Sequence, residues 1–104
     1  MLTYEVVALG EDEVVVALRG SLADDNWTQR LRDFLDEHYV NDGVQTIRVD
    51  LAEVVRMDLE GVATLVVLSK EAARRGKRFV VAGVRGQPAE KLEQTGTLRY
   101  LEGG

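Results

Sequence analysis

Two apolar strand patterns with a long helical segment between them place the tightest limit on the fold. Residues 46–51 alternate apolar and polar side chains, and residues 78–84 (Arg-Phe-Val-Val-Ala-Gly-Val) have the composition of a buried strand. Between them, the stretch from Asp58 to Arg75 has no proline and only Gly61 as a helix breaker, which favours a helix. Strands connected through a helix lie parallel in one sheet, joined by a right-handed crossover. The sequence therefore predicts an α/β domain.

The ends of this central segment carry helix-terminus signals. Asp58 is a favourable N-cap residue, and Glu60 lies in the first turn, where a negative charge stabilises the helix dipole. The other end holds Arg74, Arg75 and Gly76, which are cations of a last turn followed by a glycine. Both ends agree with the helix that the length predicts.

The segments before it add a hairpin and a first helix. Residues 3–9 and 13–19 have strand patterns and are separated by a short turn that contains Gly10. Apolar residues then recur at helical spacing from Trp27 to His38, so a helix is predicted to precede the strand at residues 46–51.

The last quarter predicts a short helix and a short edge strand. Pro88 suits the first position of a helix over residues 89–95, and residues 98–101 have a short strand-like pattern. Taken together, the segments predict a single domain over residues 1–104. Its fold is a mixed, largely parallel sheet of four to five strands with helices mainly on one face.

Composition excludes several functional classes. Thirteen basic and 18 acidic residues give a net charge of −5, so direct nucleic-acid binding is not expected. Cysteine is absent and His38 is the only histidine, which excludes thiolate zinc sites, cysteine nucleophiles and multi-histidine metal sites. No apolar run approaches a membrane span, and the first residues lack a signal-peptide pattern. We expect a cytoplasmic protein with no membrane insertion, metal or cofactor.

Acidic and glycine pairs are weak candidates for chemistry. Asp24-Asp25 and Asp58-x-Glu60 have the carboxylates that Mg²⁺ binding or acid–base catalysis requires. Each pair lies where a helix is predicted to begin, so stabilisation of that helix is the favoured explanation. The segment Gly83-Val84-Arg85-Gly86 has a G-x-x-G spacing after a strand, but a dinucleotide-binding loop needs a further glycine and a downstream acid. Positions 88 and 89 are Pro and Ala, so turn geometry explains the segment better.

His38 and the pair Gly103-Gly104 each have a structural and a functional explanation. His38 lies on the apolar face of the first predicted helix without an acid at useful spacing, which favours packing over catalysis. Gly103-Gly104 is typical of ubiquitin-like and sulfur-carrier proteins, whose terminal carboxylate enters a narrow enzyme cleft. These carriers have a β-grasp fold, and the second half of this chain holds more elements than that fold. A carrier function is therefore a minor alternative.

The order of elements and three stretches of residues resemble a STAS domain, the fold of bacterial anti-sigma factor antagonists. The first stretch, Gly20-Ser21-Leu22 with Leu31-Arg32, is similar to the family's G-x-(L/I)-D…L-R segment. The second, residues 49–62, is similar to the strand and loop leading to its D-S-(S/T)-G-(L/I) motif. The third, residues 70–83 with Leu92 and Thr95-Gly96, follows its downstream pattern. The resemblance covers nearly the whole chain.

The resemblance implies a phosphorylation switch that this chain lacks at the motif. In the family, a kinase-type anti-sigma factor phosphorylates a serine at the helix start, and phosphorylation releases the two proteins from each other. Mg-ATP belongs to the kinase. Asp58 and Gly61 match the motif, but Leu59 and Glu60 occupy its two hydroxyl positions and cannot accept a phosphate. In the early segment, Ala23 replaces the family's aspartate and Asp24 follows it.

Two interpretations of Glu60 remain. The favoured one is that Glu60 is an ordinary first-turn residue in a domain that has lost the switch. The other is that Glu60 mimics the phosphate in part, with one negative charge rather than nearly two, and fixes one signalling state. Thr64 and Ser69 are further hydroxyls on the same helix, and the apolar neighbours of Thr64 favour its burial.

The resemblance leads to three hypotheses on function. The leading one is a non-enzymatic protein-interaction module, and its partner is an anti-sigma factor kinase. The alternative is a cytoplasmic accessory subunit of an ABC transporter that moves lipids, and the third is a nucleotide or small-molecule binder. A homodimer is a further candidate assembly. The candidate partner-binding residues are Asp58, Leu59, Glu60, Gly61 and Val62, with Ser21 and Asp24 as additional positions. Leu59 is equally a partner anchor or a packing residue.

Overall fold

The computed structural model describes residues 2–22, 30–31, 33–35 and 43–102. The elements in these ranges are β1 (Leu2–Leu9), β2 (Glu13–Leu22), β3 (Thr46–Met57), α1 (Leu59–Arg74), β4 (Arg78–Ala82), α2 (Gly86–Gln94) and α3 (Leu98–Leu101). Residues 30, 31 and 33–35 are helical as well, as the sequence predicts. The predictions for Ala23, Asp24-Asp25, Trp27, Arg32, His38 and Gly103-Gly104 concern residues outside the described ranges.

The strands form one mixed sheet in the order β1-β2-β3-β4. β1 and β2 pair antiparallel across a turn in which Gly10 N donates to Glu13 O at 2.8 Å. β2 pairs with β3, and β3 with β4, in parallel, and the connection from β3 to β4 runs through α1. The predicted α/β sheet, largely parallel, is thus confirmed, with four strands in the described part of the chain.

One face of the sheet forms the core. The register of the parallel strands places apolar side chains in rows across this face, and each of them is at most 5% exposed: Val14 with Ile47 and Phe79, then Val16 with Val49 and Val81. Leu65, Leu68 and Ala72 of α1 and Leu92 of α2 complete the same core. The described helices therefore cover the apolar face, in agreement with the prediction.

The opposite face carries charged side chains paired between neighbouring strands. Arg19 of β2 lies 3.2 Å from Glu5 of β1, and Arg48 of β3 lies 3.4 Å from Glu13 of β2. Such exposed pairs contribute less than about 1 kcal/mol each. Their position explains the alternation that marked residues 46–51 in the sequence, since every second side chain points away from the core.

The predicted ends of β2 and β3 were too early. β2 continues beyond Arg19 to Leu22, and β3 continues beyond Leu51 to Met57. The added residues pair with each other in parallel through two register shifts. This pairing joins segments distant in the chain, so the local pattern around Gly20 did not reveal it.

Two predictions at the C-terminal end were wrong. Residues 98–101 form α3 instead of an edge strand, because Leu98 packs against the core and Leu101 is fully buried in it, and a spacing of three residues brings both inward only in a helix. Helix α2 begins at Gly86, two residues before Pro88, so Pro88 is not its first residue.

Gly83 ends β4 earlier than predicted, after Ala82 instead of at Val84. Its φ of +71° is a left-handed conformation that favours glycine, and a Cβ there would lie 2.6 Å from Asp50 Oδ1. That oxygen already accepts a hydrogen bond from Ala52 N at 2.9 Å. Gly83 is therefore required both by its backbone conformation and by the carboxylate beside it.

We expect Gly83→Ala to lower the free energy of unfolding more than Gly76→Ala. Gly76 has a similar φ of +73° with no atom within 4 Å of the added Cβ, so its substitution reports the left-handed conformation alone, about 1–2 kcal/mol. Gly83→Ala adds the collision with Asp50, a further 1–3 kcal/mol or so. Urea unfolding of the two variants measures the difference, and equal losses would contradict the role given to Asp50.

Candidate functional site

Helix α1 begins at a cap that Asp58 provides. Asp58 has an extended backbone, and its Oδ1 accepts a hydrogen bond from Gly61 N at 2.8 Å. Its carbonyl oxygen accepts the first helical bond from Val62 N at 3.1 Å. The predicted N-cap is confirmed, and one donor that would otherwise lack a partner is satisfied.

Gly61 allows the end of β2 to lie against the first turn of α1. A Cβ at this position would stand 2.4 Å from the carbonyl oxygen of Leu22 and 3.0 Å from Cγ of Met57. The first distance is too short for any side-chain carbon, so a residue with a Cβ would force the strand and the helix apart. This contact explains why position 61 of this fold requires a glycine.

Gln87 holds the residue before the cap, a role that no pattern in the sequence predicted. Its Oε1 accepts from Met57 N at 2.7 Å, and its Nε2 donates to Met57 O at 2.8 Å. The side-chain amide thus pairs with the backbone of Met57 in the way that a neighbouring strand would. The pairing of β3 with β4 ends at Asp50 and Ala82, before Met57. A lone glutamine at the start of a helix resembles any solvated polar residue in the sequence.

Leu59 and Glu60 point outward from this fixed backbone. Leu59 is 62% exposed, and Glu60 is exposed in the first turn. Val62, in contrast, is 5% exposed and belongs to the core. Of the two explanations for Leu59, packing in the core is therefore wrong, and its side chain is available to a partner.

The candidate residue Ser21 lies on the strand segment that contacts the site. It is half-buried and pairs with Arg56 in the β2–β3 register. The next residue, Leu22, accepts a hydrogen bond from Asp58 N at 3.5 Å and faces Gly61. The structure brings Ser21 and the start of α1 into one region, whereas Asp24 lies outside the described residues.

The hydroxyl of Thr64 is engaged within α1. It donates to the carbonyl oxygen of Glu60 at 2.8 Å, and the residue is half-buried rather than buried as predicted, because it flanks the exposed face of the helix.

In the described ranges, no cluster of three or more histidine, aspartate or glutamate side chains could hold a metal ion. No helix among these residues is long and apolar enough to cross a membrane.

Comparison with known families decides the classification. A family model described as "Mlab, STAS domain" matches residues 6–101 of the 104. The chain belongs to the STAS family. No protein with a curated description matches it.

The fold of this STAS domain is similar to that of the anti-sigma factor antagonist SpoIIAA in its unphosphorylated form. The two structures superpose with a TM-score of 0.79, over 94% of this chain and 84% of the other. Their sequences are 17% identical. The resemblance inferred from three sequence stretches is thereby confirmed at the level of the fold.

We expect Asp58→Ala to destabilise the STAS domain by about 0.5–2 kcal/mol, because the Gly61 N–H loses its cap. Asp58→Asn keeps a capping oxygen and should cost only a few tenths of a kcal/mol or so. Urea denaturation of both variants separates hydrogen bonding from charge. Equal losses would show that the negative charge, and not the cap, stabilises this end of the helix.

Gly61→Ala should lower the free energy of unfolding by about 3 kcal/mol or more, the upper end of the usual cost of overpacking. This loss is expected although alanine is the better helix former. The reason is the 2.4 Å distance from the new Cβ to Leu22 O. Ala63→Gly, on the exposed side of the same helix, is the control for helix propensity and should cost about 1 kcal/mol. A stabilised Gly61→Ala variant would show that the strand can move away from the helix without cost.

Proposed function

We propose that this STAS domain is a non-enzymatic, cytoplasmic protein-interaction module of bacterial signalling. Its partner surface is the start of α1, where Leu59 and Glu60 face outward and Val62 supports them from the core, with Ser21 on the adjoining end of β2. Asp24 stays a candidate from the sequence alone. The observation that carries the proposal is the contrast within this turn. Asp58 and Gly61 are held by hydrogen bonding and close contact, whereas Leu59 and Glu60 are presented to solvent. A fixed backbone lowers the entropic cost of binding a partner.

The partner that the resemblance favours is a kinase-type anti-sigma factor. The similarity to SpoIIAA, an anti-sigma factor antagonist, supports this choice at the level of the fold. Leu59 supplies an apolar contact and Glu60 a charged one on the same turn. Neighbouring apolar and charged side chains of this kind are typical of a docking surface that excludes water at its centre and stays polar at its rim.

In this proposal, Glu60 takes the place of the residue that the kinase would phosphorylate. Glutamate has no hydroxyl group, so the kinase binds without being able to transfer a phosphate to this position. The complex then responds to the concentrations of the two proteins and not to phosphorylation. One carboxylate carries less negative charge than a phosphate group, whose charge is about −1.5 to −2, so it opposes binding less than phosphorylation does.

A second candidate function is an accessory subunit of a lipid-moving ABC transporter. The observation in its favour is that the description of the matching family model names Mlab. In that case the same turn of α1 would contact the transporter's ATPase subunit. Glu60 would then be a first-turn residue that stabilises α1 through the helix dipole.

We expect Glu60→Ser to turn the STAS domain into a kinase substrate. The experiment incubates wild type and Glu60→Ser with each purified kinase-type anti-sigma factor of the source organism and radiolabelled Mg-ATP. Ala63→Ser is the matched control, since it places a serine on the exposed side of the same helix, one turn further along. Label should enter Glu60→Ser alone, at residue 60, while wild type binds the same kinase and stays unlabelled.

Affinity capture from lysate of that organism distinguishes the two candidate functions. Wild type and Glu60→Ser serve as baits, and the captured proteins are identified by mass spectrometry. Recovery of ABC transporter subunits by both baits would favour the second candidate. If neither wild type nor Glu60→Ser binds any of the purified kinases of the labelling experiment, the leading proposal is wrong.

A further inference from the structure

The exposed side of α1 carries an acid near its beginning and cations near its end. Five of its exposed positions follow one another along one side of the helix at a spacing of three and four residues, namely Glu60, Ala63, Val67, Lys70 and Arg74, and Leu59 and Ala73 are exposed beside them. We call these five residues the α1 ridge. A spacing of three and four residues is the pattern by which one helix packs lengthwise against another.

Charge is separated along this ridge. Glu60 stands at its beginning, whereas Lys70 and Arg74 stand at its end, and the side chain of Arg74 is 76% exposed. Ala63 and Val67 lie between them without charge, and Val67 is 44% exposed. At a rise of about 1.5 Å per residue, the acid and the last cation are roughly 21 Å apart along the helix.

This order is complementary to itself when the helix direction is reversed. Two antiparallel copies of α1 that cross at Val67 place Glu60 of each copy opposite Arg74 of the other. Val67 of one copy meets Val67 of the other in the centre, and Ala63 of each copy lies opposite Lys70 of its partner, where the small side chain leaves room for the lysine. A second copy of the protein therefore has the charge order that the ridge requires of a partner. In a symmetric dimer the two copies use the same surface.

We propose that the STAS domain forms a twofold symmetric homodimer through antiparallel packing of the α1 ridge. The two helices cross at about 20°, the angle at which a spacing of three and four residues interlocks. Glu60–Arg74 pairs close both ends of the contact. Arg74 also lies 2.7 Å from Glu71 on its own helix, so its guanidinium is shared between two carboxylates.

The dimer covers part of the surface that the proposed partner would bind, because Glu60 belongs to both. Self-association and partner binding would therefore compete, and the monomer would be the form that binds. A contact of one helix per copy is at the small end of protein interfaces, so we expect a dissociation constant in the micromolar range or above.

Sedimentation equilibrium of the purified STAS domain, from micromolar to millimolar concentration, tests the dimer without any partner. The mass should rise from 11.5 kDa toward twice that value. Glu60→Arg should weaken dimerisation about tenfold or more, because cations then face each other at both ends of the contact. Arg74→Glu should weaken it similarly, and the double variant Glu60→Arg/Arg74→Glu should restore it.

Glu90→Arg is the control for net charge, since it makes the same change at an exposed position of α2 and should leave dimerisation unchanged. Thermal unfolding confirms that each variant is folded. A wild type that stays monomeric at all concentrations overturns the proposal. So does a dimer that both single variants leave intact, or a double variant that fails to recover. None of these results bears on the kinase experiment, which uses the binding partner and a different readout.

Discussion

The site depends on the contact between the carbonyl oxygen of Leu22 and the first turn of α1. The contact exists because β2 and β3 remain paired as far as Leu22 and Met57. It is possible only because Gly61 has no side chain, since a Cβ would stand 2.4 Å from that oxygen. Pairing, close contact and the cap at Asp58 consequently hold the end of one strand against the start of the helix, so the proposed partner would meet a backbone that these contacts position.

Local signals predicted most of the fold, and the missing parts are non-local. Helix α1 was predictable because its apolar period, its N-cap Asp58 and its last-turn cations all lie within the segment itself. The extension of β2 and β3 depends on pairing between residues more than thirty positions apart, and no pattern near Gly20 shows it. The error at residues 98–101 has a similar cause, since core packing of Leu98 and Leu101 selects a helix over a strand.

For the candidate site, the sequence pattern placed five positions together at the helix start without showing which of them are buried and which are exposed. Asp58 and Gly61 have structural roles that would be needed whatever residues stand between them. Leu59 and Glu60 are exposed, so they can differ with little effect on the packing of the core. The support from Gln87 was not predictable, because an amide that pairs with the backbone of Met57 acts across the fold.

The charge order of α1 links stability and recognition in one helix. An acid in the first turn and cations in the last turn both stabilise the helix dipole, so this order is favoured before any partner is considered. The same order makes the exposed side of the helix complementary to an antiparallel copy of itself. A substitution of Glu60 therefore acts on the helix start, on the partner surface and on self-association together. Arg74 lies at the other end of the helix and away from the proposed partner turn, so comparing the two positions separates partner recognition from self-association.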